Sequence, residues 1–208
     1  VREMGSPAFI DNLRQMVEQM PETIIEAILA YNSKGELKDY SHDVFPDLLK
    51  KAFLSFAFVI AGQGPKAFGM PEMYVPSQNL KHHQLLESSS LLITDGRYSG
   101  VTKGACIGHV TPEAFAGGGI GQLIDGDVMF LQIVEKTLSI IDPAALETGR
   151  AAVLKELPER RQLVADRVEK MRERSLQVAA SNMMTDVTSA EKGCVPLAVD
   201  LRAVACLP

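Results

Sequence analysis

Apolar positions recur every three or four residues through the opening of the chain, at Phe9, Ile10, Leu13, Met16, Val17 and Met20. That period is helical. Ser6 stands where an N-cap belongs, and Pro7 follows at the first helical position, where a missing N–H costs no hydrogen bond. Pro21 opens a second such stretch, with Ile24, Ile25, Ile28 and Leu29 apolar, and Asn32 to Gly35 closes it. Pro46 to Phe53 has the makings of a third, shorter helix. At Phe56 the pattern changes. Phe56-Ala57-Phe58-Val59-Ile60 is a short aromatic and β-branched run bounded by glycine, which predicts a buried strand. Leu91 to Thr94 predicts a second. Asp127 to Val134 and Thr137 to Ile141 predict two more, joined by a turn at Glu135 and Lys136. From Pro143 the helical period returns, and Leu157 to Val178 is a charged stretch with a narrow apolar stripe of Leu163, Val164, Val168 and Met171. This stripe predicts a largely solvated helix docked along one side, since no heptad is sustained.

These elements divide the chain into three parts: a helical segment over 1–54, a β-rich domain over 55–142 and a helical extension over 143–208. The fold class expected is mixed α/β, with flanking helices at both ends.

Composition narrows the function. Hydrophobic residues make up 46% of the 208, enough for a real core. A net charge of −5 gives no basic face for nucleic acid. No apolar run reaches the roughly 18–20 residues that cross a membrane. Ser6 to Met20 is amphipathic, unlike the apolar core of a signal peptide. Cys106, Cys194 and Cys206 are odd in number and widely spaced, fitting neither a disulfide framework nor a Cys-x-x-Cys metal site. A reducing, cytoplasmic setting follows. The chain begins at Val1, which suggests a fragment of a longer polypeptide.

Glycine concentrates between Gly62 and Gly119, in loops that follow the predicted strands. Gly62 to Met73 places a single carboxylate, Glu72, in an otherwise apolar and glycine-rich loop. A carboxylate at a strand end suits Mg²⁺, whereas the plainer reading makes Glu72 the cap of a helix starting near Pro71. Asp95 to Gly104 holds Ser99 beside a glycine and close to Arg97. The nucleophile elbow fails here, because Arg97 and Val101 occupy its glycine positions. The P-loop spacing fails too, and Thr102 stands where a Ser-x-x-Lys nucleophile needs lysine. A glycine-rich turn with a hydrogen-bonding serine is the plainer reading. His109 reads as a packed or supporting group more readily than as a base, and Thr111-Pro112 as an ordinary helix start. His82 and His83 read as surface residues. No two histidines have the i,i+4 spacing of a zinc hydrolase.

Taken together, the loops do more. Gly64-Pro65 with Gly69-Met70-Pro71-Glu72-Met73, then Leu92 to Gly100, Gly108 to Ala114, Gly117-Gly118 and Asp125-Gly126-Asp127 resemble the dihydroxy-acid and phosphogluconate dehydratase family, which includes sugar-acid dehydratases. The resemblance covers Val59 to about Ile141, with a weaker echo in Thr188 to Gly193. It departs from the family at Lys66 to Gly69, where the loop is shorter and poorer in glycine, and Tyr98 replaces the commoner Phe.

The resemblance is to the family's C-terminal domain and implies a β-rich, swivelling, barrel-like architecture. It implies a hydro-lyase that converts a 2,3-dihydroxy acid, branched-chain or sugar-derived, to a 2-keto acid. Ser99 falls on the family's base and Glu72 on its C-terminal Mg²⁺ ligand, with Arg97 and Thr102 as substrate-binding candidates and Lys66 as a further group able to meet an anion. An iron–sulfur cluster (2Fe–2S or 4Fe–4S) would have its ligands outside this chain, on a missing N-terminal domain, so the three cysteines are not assigned to it. A homodimer is the family's expectation. A non-catalytic assembly or regulatory domain derived from the same family is the alternative.

Overall fold

The computed structural model describes residues 6–34, 45–134, 137–141, 153–154 and 157–176. Helix α1 spans Pro7–Glu18, and the Ser6 hydroxyl accepts from Phe9 N at 3.2 Å, the N-cap bond the sequence predicts. Helix α2 follows at Glu22–Ser33 and ends on Lys34 in the left-handed region. Helix α3 is Phe45–Lys50. All three turn their apolar sides onto one core, where Ile10, Leu13, Val17, Ile25, Leu29, Phe45, Leu48 and Leu49 are buried.

Strand β1, Phe56–Ile60, pairs in parallel with β2, Ser90–Thr94, from Phe56 opposite Ser90 to Ile60 opposite Thr94. Strand β3, Ala105–Ile107, joins the far side of β2, also in parallel, with Leu92 opposite Cys106. The central strand is therefore β2, and all three strands end at the same edge of the sheet. Alternation sorts the side chains: Phe56, Phe58, Leu92 and Cys106 meet the α1–α3 core, whereas Val59, Leu91, Ile93 and Ile107 meet a second core on the opposite face. Two short helices lie in the β1–β2 crossover, α4 at Pro65–Phe68 and α5 at Tyr74–Lys81.

The second core is closed by β4 (Met129–Gln132), β5 (Thr137–Ile141) and helix α6 (Arg161–Leu176). Strands β4 and β5 form the expected antiparallel pair, and β6, Val153–Leu154, adds to the outside of β5. A 3₁₀ turn at Pro158–Arg160 leads into α6. Docking of α6 rests on polar groups as much as on Met171. Arg167 donates to the carbonyls of Gly121 and Leu123, and Arg160 makes two bonds to Asp127 at 2.6 and 2.7 Å.

Mixed α/β architecture is thus observed, but the described residues form two separate three-stranded sheets and no closed barrel. The parallel sheet ends at β1 and β3, whose outer edges have no strand partner among the described residues, so closure is not achieved there. Thr111-Pro112 is a cis peptide rather than a helix start, and a 3₁₀ turn begins later, at Ala114. Cys194, Cys206 and the Thr188–Gly193 segment lie outside the described residues, as does Val178 at the predicted end of the last helix. Among the described residues no helix is long and apolar enough to cross a membrane.

Candidate active site

The two loops singled out by their composition leave the same end of the parallel sheet, one after β1 and the other after β2, and they meet. Glu72 and Arg97 form a parallel bridge, in which Met73 N donates to Arg97 O at 2.9 Å and Arg97 N to Pro71 O at 3.3 Å. The Arg97 side chain strengthens the junction by donating Nε to Met70 O at 2.9 Å. This bond fixes the guanidinium while its outer N–H groups stay in the open, on an exposed residue.

A helix does start just after Pro71, but the helix-cap reading of Glu72 fails. Helix α5 has Met73 at its N-cap and no side-chain cap bond. Glu72 instead lies one residue before the N-cap, half-buried, with no hydrogen-bond or ion-pair partner among the described residues. The N-terminal end of α5 favours negative charge beside it. On the other loop, the Ser99 and Thr102 hydroxyls are both buried and unpartnered. The backbone joins them in one turn, Thr102 N donating to Ser99 O at 3.1 Å. Orphaned buried hydroxyls are uncommon, and here two fall in one turn.

The third strand end adds His109. It is exposed rather than packed, and it sits at φ 56°, in the left-handed region that a side chain adopts at a cost. Its N–H donates to Gly96 O at 2.9 Å, and Val110 N donates to Thr94 O at 3.2 Å, which ties this loop to the end of β2 and the loop that follows it. Met70, between Gly69 and Glu72, is likewise left-handed at φ 58°. Strain thus accompanies two of the three loops. Lys66 lies in the first turn of α4, part-buried, with its backbone bonded to Glu113.

Beneath the loops are two carboxylates that sequence reasoning passed over. Asp95 is fully buried, and it accepts from Gly62 N at 3.0 Å, Gln63 N at 2.8 Å and Ala114 N at 2.9 Å. Glu113 is also fully buried and accepts from the N–H groups of Lys66 and Ala67, each at 3.2 Å. Burial raises the Glu113 pKa above the ordinary carboxylate range, with the nearby Asp95 charge acting in the same direction. The signal available was two acids in a glycine-rich, apolar setting, but their partners lie 19 to 47 residues away in sequence.

Tyr98 packs under the Ser99 turn with its hydroxyl donating to Leu92 O at 2.9 Å, and burial raises its pKa. Cys106 lies beside it, half-buried, and burial pushes its thiol up as well. That favours the protonated thiol and disfavours a role as a metal-binding thiolate. No three His, Cys, Asp or Glu side chains among the described residues converge as a metal centre. The fit to a metal is therefore partial: Glu72 offers one unpartnered hard oxygen ligand, and any others would come from elsewhere.

A family model described as dihydroxy-acid/6-phosphogluconate dehydratase C-terminal matches residues 26–194. The chain is 44% identical over 109 residues to D-xylonate dehydratase YjhG of Escherichia coli K12, and 48% identical over 81 residues to D-xylonate dehydratase YagF of the same strain. It is 39% identical over 118 residues to the dihydroxy-acid dehydratase of Caldicellulosiruptor saccharolyticus. These alignments take in 50%, 39% and 56% of this chain, but only 16%, 12% and 21% of the respective relatives.

Proposed function

The chain belongs to the dihydroxy-acid/6-phosphogluconate dehydratase C-terminal family, and from that premise we propose that it is the C-terminal catalytic part of a hydro-lyase that converts a 2,3-dihydroxy acid to a 2-keto acid. The observation that carries the reading is the meeting of the Glu72 and Ser99 loops at one sheet edge, with the Ser99 and Thr102 hydroxyls left unpartnered there. The remainder of the site is supplied by a longer polypeptide, and by itself this chain is inactive.

In this proposal Ser99 Oγ takes the proton from C2 of the substrate. A neutral serine is a poor base, so its hydroxyl must be held ionised by nearby positive charge. Lacking a partner within the chain, Ser99 Oγ is free to enter such an environment. Glu72 would hold Mg²⁺ together with ligands from outside this chain. When bound, Mg²⁺ and an iron–sulfur cluster would supply Lewis acidity toward the substrate carboxylate and the departing C3 hydroxide. Arg97, pinned through Nε, presents its remaining donors to the carboxylate, and Thr102 meets a substrate hydroxyl. Loss of the C2 proton and the C3 hydroxide, together one water, leaves an enol that gains a proton at C3 and gives up the proton of its C2 hydroxyl to become the 2-keto acid. A homodimer in the cytoplasm completes the proposal.

The test is anaerobic reconstitution of the complete polypeptide with iron, sulfide and Mg²⁺. It would then be assayed with dihydroxyisovalerate, xylonate, arabinonate, gluconate and 6-phosphogluconate. Turnover of one acid should fall by about 10²–10⁴-fold in Ser99→Ala, the usual contribution of a proton-transferring side chain. Undiminished turnover in Ser99→Ala would remove the serine from the mechanism. Cluster-loaded protein that dehydrates none of the panel would sink the catalytic reading.

A further inference from the structure

We propose that Asp95 and Glu113 form a two-carboxylate clasp that fixes the spacing between the Glu72 and Ser99 loops, which makes both acids positioning residues for the reaction proposed above, on which their catalytic consequence rests. Neither is exposed, so neither is available to a substrate. A buried carboxylate is costly unless its oxygens are satisfied, and here backbone N–H groups alone satisfy both.

The bonds close a circuit. Asp95 begins the loop that carries Ser99, and it holds Gly62 and Gln63 at the start of the loop that carries Glu72. It also holds Ala114, the residue next to Glu113. Glu113 then reaches back to Lys66 and Ala67 in the middle of the Glu72 loop. The third strand-end loop is thereby used as a strut between the first two. Gly64 is part of the device, since a Cβ there would overlap Oε2 of Glu113. Arg174 of α6 braces the same turn from outside, donating to Gly62 O with its guanidinium 4.4 Å from the centre of the Phe68 ring. Apolar side chains of similar size could fill this volume without placing two like charges close together. What they could not do is collect five backbone donors from two loops.

Asp95→Asn and Glu113→Gln test the clasp in this chain and in the complete polypeptide. Amide hydrogen exchange should rise by about tenfold at Gly62, Gln63 and Ala114 in Asp95→Asn, and at Lys66 and Ala67 in Glu113→Gln. Exchange at Ile25 and Leu29 of α2 should stay as in the parent. In the complete enzyme, kcat should fall by about a hundredfold with KM little changed, as expected for a displacement of about 1 Å between reacting groups. Unaltered exchange at those loop amides overturns the clasp, and so does a uniform rise that includes α2, which marks plain core destabilisation. An unchanged kcat per folded molecule overturns the positioning role. A parent enzyme that dehydrates no acid overturns the functional reading alone, and the exchange pattern then decides the clasp.

Discussion

Asp127 supports a quantitative test of what holds α6 to the body. Its carboxylate receives both terminal nitrogens of Arg160, at 2.6 and 2.7 Å, and Oδ2 also accepts from Ile124 N at 2.9 Å. The two side chains are 16% and 11% exposed for Arg160 and Asp127, so the pair is neither open to solvent nor fully dry. Removing one partner of a buried pair costs about 3–5 kcal/mol, while an exposed pair is worth about 1 kcal/mol at most. Asp127→Ala should therefore destabilise the fold by about 2–3 kcal/mol, nearly all of it from the ion pair, since the Ile124 N–H it releases is exposed and turns to water. Arg160→Ala, which also loses the bond to Gln122 O at 2.9 Å, should cost about 2 kcal/mol. Because each single change removes the same two bonds, the double variant should cost about 1.5 kcal/mol less than the sum. Urea unfolding of the four proteins at neutral pH measures this, with the slope m unchanged as the control. Two single-variant losses under about 0.5 kcal/mol, with additive effects in the double variant, would refute the argument. The contact would then rank with surface ion pairs, and docking of α6 would rest on Met171 and Arg167.

Glu113 gives a pH prediction. Burial raises its pKa, so the folded state binds this proton more tightly than the unfolded state does. Its contribution is fully present below the ordinary carboxylate range and is lost as pH rises through the raised value, so Glu113→Gln should flatten melting temperature against pH from the ordinary carboxylate range upward. Ala52 sits at φ 54° just past α3, where its N–H bonds Leu49 O at 3.0 Å, and Ala52→Gly should stabilise the fold by about 1 kcal/mol in thermal melts. A Cβ at Gly118 would overlap the Pro112 carbonyl oxygen, whereas one at Gly119 meets nothing within 4 Å. Gly118→Ala should thus lower stability by about 2–4 kcal/mol, with Gly119→Ala within about 0.5 kcal/mol of the parent.

What could be read from the sequence depended on how far each signal reached. Strands β1 and β2 were legible because each is a bounded apolar run, and α1 because Ser6, Pro7 and a helical period agree. Three-residue β3 was not, since Ala105-Cys106-Ile107 is too short to show a period. Helix α5 was legible only as the helix that Glu72 might cap, and Pro76 is tolerated in its first turn, where an N–H has no helical partner anyway. The barrel expected from the resemblance is absent from the described residues, because each sheet stops at three strands. Glu72 and Ser99 stood out in their glycine-rich loops, Arg97 and Thr102 entered as candidates only through the resemblance, and the fold brings the two loops together. Of the two readings of His109, packed or supporting, the packed one fails, because the residue is exposed although an apolar pair precedes it. Asp95 and Glu113 escaped notice because their roles consist entirely of bonds to distant backbone.

The polar end of β2 has a consequence for assembly of the sheet. Leu92 and Ile93 are buried on opposite faces of this central strand, so neither face carries the polar row that would forbid a slip of one residue. Thr94 and Asp95 supply that discrimination instead. The Thr94 hydroxyl reaches Ile60 O at 2.7 Å and the Asp95 carboxylate reaches Gly62 and Gln63, and a shifted alignment would forfeit all of these bonds at once. Together they act as an index mark for strand alignment. Chains lacking it should emerge from refolding as a heterogeneous mixture of slipped forms, even where every apolar side chain is still covered.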